Sequence, residues 1–360
     1  MVPSIVGVGT AVPDTRLTQS QIRDLFLAQP GLDRRAQRIL GAAFDAAAID
    51  TRHTVLASLT GDAPPEALVV REGDLLLDPS TSARNAEFRR LAPDLFARAG
   101  RAALADAGVA AGDVTHVITV SCTGLFAPGP DMLLVRDLGL RPETERYHHG
   151  FVGCAAAVPA LRAAHRIAVA QPGAVVLVVC AELCSLHLRV SDDPEQIVAA
   201  SLFADGAAAA VVTSREHAGR RFELAEFRTA LSDDGEHDMA WTIGDHGFEM
   251  TLTAEVPRIV GREVAGAVAY LDDATAWAIH PGGRSVLDRV ATGLGLTEAQ
   301  MAPSREVLRA FGNMSSATVL FILDRMRRDP VLADGTTLGL LAFGPGLTVE
   351  SGRLLVRGDA

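Results

Sequence analysis

One order of elements occurs twice along this chain of 360 residues, and that repetition limits its fold more than any single motif does. Val114 to Val120 (VTHVITV) is rich in β-branched residues and reads as a buried strand that ends in the turn SCTG. GFVGC then opens a helix over Ala155 to Ala170, and a strand follows over Ala174 to Cys180. A helix should come first, over Leu91 to Ala107, where apolar residues recur at helical spacing and Gly108 supplies a stop. The second pass repeats this order. Ile259 to Ala269 reads as helix, Thr275 to Ile279 (TAWAI) as strand and HPGG as turn; AFGN opens a helix over Met314 to Arg327, and Thr337 to Phe343 closes the unit as a strand. Cys122 precedes Cys154 by 32 residues, and His280 precedes Asn313 by 33. Two copies at so long a period differ from a solenoid and point to two similar α/β halves, 1–225 and 226–360, packed together. The alternation of helix and strand leads us to expect largely parallel sheets with helices on their faces. If the halves pack about a pseudo-twofold axis, the starts of the Cys154 and Asn313 helices meet near the centre with His280 between them.

Composition narrows the function classes. Apolar residues make up 48% and charged residues 21% of the chain, as in a globular protein with a substantial core. The formal charge of -11 leaves no broad basic surface for a phosphate backbone, so nucleic acid is not an expected partner. The chain has no lysine, and all 33 of its basic residues are arginine. That excludes Schiff-base catalysis, pyridoxal phosphate attachment and a phosphate-loop lysine, which all need the ε-amine. No apolar run reaches the roughly 18 residues of a membrane span, and Met1-Val2-Pro3-Ser4 does not begin like a secretion signal. A soluble, cytoplasmic protein is expected. Cys122, Cys154, Cys180 and Cys184 form no CxxC pair, which suits free thiols in a reducing compartment, and without HExxH no metal site is expected.

Three positions carry chemistry. Cys154 follows Gly153 where a helix opens, and the unpaired N–H groups of a helix start favour a thiolate. A free cysteine titrates near about 8.5, and a helix start with an imidazole close by can bring that to between about 3.5 and 7.5. His280 ends a strand and is followed by Pro281-Gly282-Gly283, a turn that a ligand can approach closely because glycine has no side chain. Asn313 follows Gly312 at another helix start. Taken singly, the cysteine would suit a core, the histidine a structural hydrogen bond and the asparagine an N-cap.

Together, Cys154, His280 and Asn313 resemble the triad of decarboxylating condensing enzymes. The flanking segments SLFADGAAA (Ser201 to Ala209), HPGG (His280 to Gly283), FGNMSSATVLFIL (Phe311 to Leu323) and FGPGLTVE (Phe343 to Glu350) resemble those of type III polyketide synthases, the chalcone and stilbene synthase family. The resemblance runs from about Ile5 to Arg357. It implies a five-layered αβαβα fold of the thiolase type, built from two similar halves and paired as a homodimer. It implies that Cys154 takes an acyl starter from coenzyme A, that His280 helps to keep the sulfur ionised, and that malonyl-CoA then loses carbon dioxide. His280 and Asn313 would stabilise the resulting enolate, where one such donor is typically worth about 3 to 4 kcal/mol. The chain would grow by repeated condensation and close to a pyrone, resorcinol or phloroglucinol-type ring, with CoA thioesters as substrates and no further cofactor.

By the same resemblance Phe203 is the gate between a CoA tunnel and the cavity. Cys122, Thr123, Cys184, Leu186, Trp241, Met250 and Ser315 line that cavity, Gly282 and Gly283 contact substrate, and Pro345 lies in the cyclisation loop. The chain departs from the plant members in ways that mark a bacterial type: Cys122-Thr123 replaces a serine or threonine pair, Met250 a phenylalanine and Trp241 a glycine. An indole in place of glycine shortens or redirects the pocket, which argues against starters such as coumaroyl-CoA. Ala42 and Ala46 stand where the family has CoA-binding basic residues, and Arg34, Arg35 and Arg38 are either their substitutes or a solvated face. Two other readings share the fold. A ketoacyl-carrier-protein synthase III would need a basic patch for an acidic carrier, which the net charge disfavours. A catalytically silent binding protein would have no need of all three triad residues.

Overall fold

The structure, a computed structural model, describes residues 2–61 and 64–358. Among these, nine strands form one sheet: β1 (Ser4–Ala11), β2 (His116–Ser121), β3 (Glu145–Gly150), β4 (Val175–Leu183), β5 (Asp205–Thr213), β6 (Arg221–Leu231), β7 (Ala276–Ile279), β8 (Thr337–Gly344) and β9 (Thr348–Arg357). Their order is β7-β8-β9-β6-β1-β5-β4-β2-β3. The order reads outward alike from the β6/β1 junction, so β6, β9, β8 and β7 of one half answer to β1, β5, β4 and β2 of the other. The two halves are joined there by only two residue pairs, Ser4 with Glu223 and Ile5 with Phe222.

The helices are α1 (Gln19–Leu27), α2 (Arg34–Ala46), α3 (Thr81–Ala107), α4 (Pro130–Asp137), α5 (Ala157–Ala170), α6 (Pro194–Leu202), α7 (Val256–Ala267), α8 (Arg284–Leu294), α9 (Glu298–Phe311) and α10 (Thr318–Arg327). Strand side chains alternate between faces, and here both faces are apolar. Val176, Val178 and Cys180 of β4 join Leu161 of α5 and Leu320 of α10 in a central core, while Val175, Leu177 and Val179 join Phe96 of α3 in an outer one. In β8, Leu338 and Leu340 face the same centre, and Leu341 and Phe343 face α7, α8 and α9. Each fully buried Val or Leu stabilises the fold by about 1.5–3 kcal/mol. Three apolar cores between alternating helix and sheet layers make the five-layered αβαβα architecture of the thiolase type.

One expectation needs correction. The sheet is mixed: β2 with β3, β2 with β4 and β7 with β8 are parallel, whereas five pairs are antiparallel. Helical crossovers hold the parallel pairs, but β8 passes to β9 through Pro345–Leu347, too short for a crossover, so β9 must return antiparallel. The division expected after residue 225 falls inside β6. In addition, α3 begins ten residues before Leu91, because Ser80 caps it by accepting from the Ala83 N–H, and the helix accommodates Pro93 in its interior.

Candidate active site

Cys154 stands in a single 3-10 turn, Gly153–Ala155, that leads into α5. Gly153 has φ +74°, and a Cβ there would lie 2.3 Å from Cδ of Pro345, so a bare backbone lets the loop after β8 close over the cysteine turn. Asn313 lies between α9 and the 3-10 turn Ser315–Ala317. It is not an N-cap of α10, whose cap is Ala317. Its backbone docks on the end of α6, with Asn313 N–H donating to the Leu202 carbonyl at 2.9 Å and Ala204 N–H donating to the Asn313 carbonyl at 2.9 Å. Its Oδ1 accepts from the Ser315 N–H at 2.8 Å, which turns the amide NH2 toward the Cys154 sulfur. His280 ends β7, donating its backbone N–H to the Leu341 carbonyl at 2.8 Å.

The end of α6 gathers these segments. Asn313 bonds to either side of Phe203, Cys154 and Phe203 belong to one apolar cluster, and Leu202 lies against Gly283 of the His280 turn. His280 itself is fully buried, off the cavity wall, and neither ring nitrogen has a hydrogen-bond partner among the described residues. Burial lowers its pKa to about 3, so the ring is neutral at physiological pH. Burial raises the Cys154 thiol to about 11; the Ser315 hydroxyl and the Asn313 amide pull it down, and the Glu182 charge adds to the rise. This corrects the expectation of a resting thiolate: the 3-10 turn and its neighbours do not offset desolvation of the sulfur.

A narrow cavity opens onto Cys154 and is lined by Cys122, Thr123, Cys184, Phe203, Trp241, Met250, Ser315 and Pro345 from the residues anticipated in sequence. Leu186 is not on this wall. It is fully buried in the outer core beside α3, because the 3-10 turn Cys184–His187 sends residues three apart, Cys184 and His187, to the cavity and turns Leu186 away. Gly282 and Gly283 line a different cavity, on the other side of α6. Gln196, Ala199 and Ala200 face the Cys154 cavity, while Glu195, Val198 and Leu202 face the second, so the helix is a partition with Phe203 at its end. Arg258, Arg284 and Arg289 line this outer cavity with Ala46, whereas Arg34, Arg35 and Arg38 lie on the exposed face of α2.

Sequence reasoning passed over three residues of the site. His187 donates from Nε2 to the Thr123 carbonyl at 2.8 Å and accepts the Phe248 N–H on Nδ1 at 3.0 Å, which fixes a neutral tautomer; burial lowers its pKa to about 4. Phe248 stacks on it at 4.1 Å, and Trp241 meets both rings edge-on. Trp241, on the hairpin strand Met239–Gly244, donates from Nε1 to the Cys122 carbonyl at 2.6 Å, so the indole is fixed as a wall. Glu182, fully buried in β4, accepts from the Cys122 N–H at 3.0 Å, from Thr123 Oγ1 at 2.8 Å and from the Ser316 hydroxyl. It thereby ties the Cys122–Thr123 turn after β2 to the Asn313 side of the site. Burial raises its pKa, against those hydrogen bonds. The signal for Glu182 was present: it is the single charged residue in the apolar run VVLVVCAEL.

The chain is similar to known proteins over nearly its whole length. The family models for the N-terminal and C-terminal domains of chalcone and stilbene synthases match residues 2–216 and 227–358. Type III polyketide synthase 21 of Oryza sativa subsp. japonica is 32% identical over 98% of this chain and 93% of that protein. Probable polyketide synthase 1 of Dictyostelium discoideum is 32% identical over 96% of this chain, which spans 11% of that much longer protein. The crystal structure of PKS-I from the brown alga Ectocarpus siliculosus superposes with a TM-score of 0.91 at 30% identity, covering 98% of each chain. The chain belongs to the chalcone and stilbene synthase family and is a type III polyketide synthase, an acyltransferase that works by decarboxylative Claisen condensation.

Proposed function

We propose that Cys154 is the acyl acceptor and that His280 and Asn313 are the enolate donors of an iterative synthase that extends an acyl-CoA starter with malonyl-CoA. The observation that carries this is the bare imidazole of His280. Leaving a buried polar group unpaired costs about 1–3 kcal/mol, and two such nitrogens within one neutral ring are accounted for when the partner is a substrate oxygen and a sulfur proton. One ring nitrogen takes the proton of Cys154 as its sulfur attacks the starter thioester; the Cys154–acyl bond forms, the acyl–CoA bond breaks, and the proton leaves on the CoA thiol. Malonyl-CoA then loses carbon dioxide, and its enolate oxygen is held by an N–H of neutral His280 and the amide NH2 of Asn313. Donors without charge suit this step, because they add no charge to a dry cavity when the enolate is gone. The enolate carbon attacks the Cys154 thioester, and the chain returns to CoA two carbons longer.

The outer cavity, with Gly282 and Gly283 on its wall and Arg258, Arg284 and Arg289 beside them, suits coenzyme A better than the arginines of α2 do. No cofactor beyond CoA thioesters is needed, and among the described residues no cluster of metal-ligating side chains stands ready. The fixed wall of Trp241 and His187 supports a compact pyrone, resorcinol or phloroglucinol-type product. The four free cysteines support action in the reducing cytoplasm. The exposed edge strand β3, with half-exposed Tyr147 and with Met132 of α4 nearby in the chain, supports a homodimer; sedimentation should give twice the chain mass, and a monomer at micromolar concentration would refute the pairing. Two variants test the chemistry. Cys154→Ala should take up no acyl group and make no polyketide. Asn313→Ala should slow malonyl-CoA decarboxylation by about 10²–10³, and full activity in either would overturn these roles.

A further inference from the structure

Two walls of the Cys154 cavity come from segments far apart in sequence, and both are fastened to the first turn of α3. One wall is a hairpin of strands Met239–Gly244 and Gly247–Leu252, which carries Trp241, Phe248 and Met250. Thr81 holds the turn of this hairpin from both sides. Its hydroxyl donates to the Gly244 carbonyl and accepts from the Gly247 N–H at 2.7 Å, and its own N–H, free at a helix start, donates to the Asp245 carbonyl at 2.8 Å. The other wall is the 3-10 turn Cys184–His187. Arg84, fully buried on the same face of α3 as Thr81, donates from Nη1 to the carbonyls of Leu186 and Leu188, the latter at 3.1 Å. Its Nε donates to the Pro79 carbonyl at 2.8 Å and its Nη2 to Asp78 at 2.7 Å, so the planar guanidinium is held at every nitrogen. The two anchors converge at Gly247, where a Cβ would lie 3.3 Å from Cδ of Arg84 and 3.5 Å from Nδ1 of His187. A bare glycine thus lets hairpin, guanidinium and imidazole share one junction, with Phe248 stacked on His187 beside it.

We propose that Thr81 and Arg84 are positioning residues that fix the gap between the hairpin and the Cys184–His187 turn, and through that gap the number of malonyl units a chain takes up before it leaves. The inference rests on the reading of this site as that of an iterative synthase. Both residues stand behind the walls, off the cavity surface, and so act through Trp241, Phe248 and His187. The post they stand on is rigid, because the Ala103 backbone of α3 sits against Gly7 and Gly9 of β1 with no space for a Cβ. In a narrow cavity, extension stops when the walls leave no room for two more carbons. Loss of an anchor lets a wall tilt outward and admits the next unit.

The test uses the full-length enzyme with malonyl-CoA and a series of acyl-CoA starters from acetyl to dodecanoyl and benzoyl, and reads product masses, malonyl-CoA decarboxylation and acyl-Cys154 separately. Thr81→Val keeps the shape of the side chain and removes both of its bonds to the hairpin turn. It should raise the ratio of products with one further malonyl unit to the wild-type product about fivefold, and leave decarboxylation and the acylation of Cys154 unchanged. Thr81→Ser, which restores the hydroxyl, should return the wild-type ratio. Arg84→Lys keeps the charge but cannot reach four acceptors at once, and should shift the ratio in the same direction; the Thr81 pair decides should that variant not fold. An unchanged ratio in Thr81→Val, or a lower yield in wild-type proportions, would show that these residues only stabilise the fold and would overturn the proposal. A fall in decarboxylation that matches the loss of product would overturn it too, while leaving the role of Cys154 intact. Absence of any polyketide from the wild-type enzyme would overturn the iterative reading itself.

Discussion

At the sulfur of Cys154, desolvation opposes ionisation, and at the ring of His280 the same desolvation opposes protonation. The two shifts, to about 11 and to about 3, separate the groups instead of drawing them into an ion pair. A thiolate with its charge unmatched in a cavity walled by Phe203, Met250 and Trp241 would be costly. A protonated thiol avoids that cost, and the neutral imidazole keeps one nitrogen that can accept and one N–H that can donate. The sign of the pH dependence follows. A thiol whose pKa is raised has a thiolate fraction that climbs tenfold per pH unit until about 11, so alkylation of Cys154 by iodoacetamide in the substrate-free enzyme should still be rising at pH 9. Measured by mass against pH, a rate already level below pH 7 would instead establish a resting thiolate–imidazolium pair.

The elements beneath these residues meet through contacts that leave no room for a side chain. In β1, a Cβ on Gly9 would lie 2.2 Å from the Ala103 backbone nitrogen of α3, and one on Gly7 would lie 2.6 Å from the Ala103 carbonyl oxygen. Neither atom can rotate away, so Gly9→Val should push α3 from the sheet and cost at least the 1–3 kcal/mol typical of overpacking. A lower urea midpoint with an unchanged slope would express this, and wild-type stability would show that the two elements are not so closely seated. What was legible in the sequence was the part with a local cause. The β-branched runs of β2 and β4, the apolar spacing of α5 and α10, and the glycines beside Cys154 and Asn313 each carry their own instruction. Strand direction was less legible, since the antiparallel return of β9 depends on a three-residue loop whose brevity is read from the strand pairing it joins. Leu186 was misplaced for a similar reason: in a 3-10 turn a shift of one residue changes the direction of a side chain by about a third of a circle. Glu182 bonds to residues about 60 positions earlier and 134 positions later, and no window along the chain contains that network.

Over the whole molecule, the repetition seen along the chain becomes a shared interior. The central core contains Val158 and Leu161 of α5 beside Val319 and Leu320 of α10, with strands of both halves closing over them. Neither half owns this core. Cut between β5 and β6, each piece would expose the apolar face of its central helix together with the inner face of its strands, a patch far beyond what a soluble monomer tolerates. The candidate site is divided in the same way, since Cys154 and Glu182 precede β6 and His280 and Asn313 follow it. The two similar strand–turn–helix units thus join around a dry centre where residues distant in sequence meet. It follows that the halves should not behave as independent domains. Calorimetry of the intact chain should show one cooperative transition, and residues 1–218 expressed alone should aggregate or bind a hydrophobic dye without a cooperative melt. Two resolved transitions, or a soluble N-terminal piece with native-like unfolding, would mean that the first half closes its own core, and the active site would then depend on docking of two finished domains instead of on the folding of one.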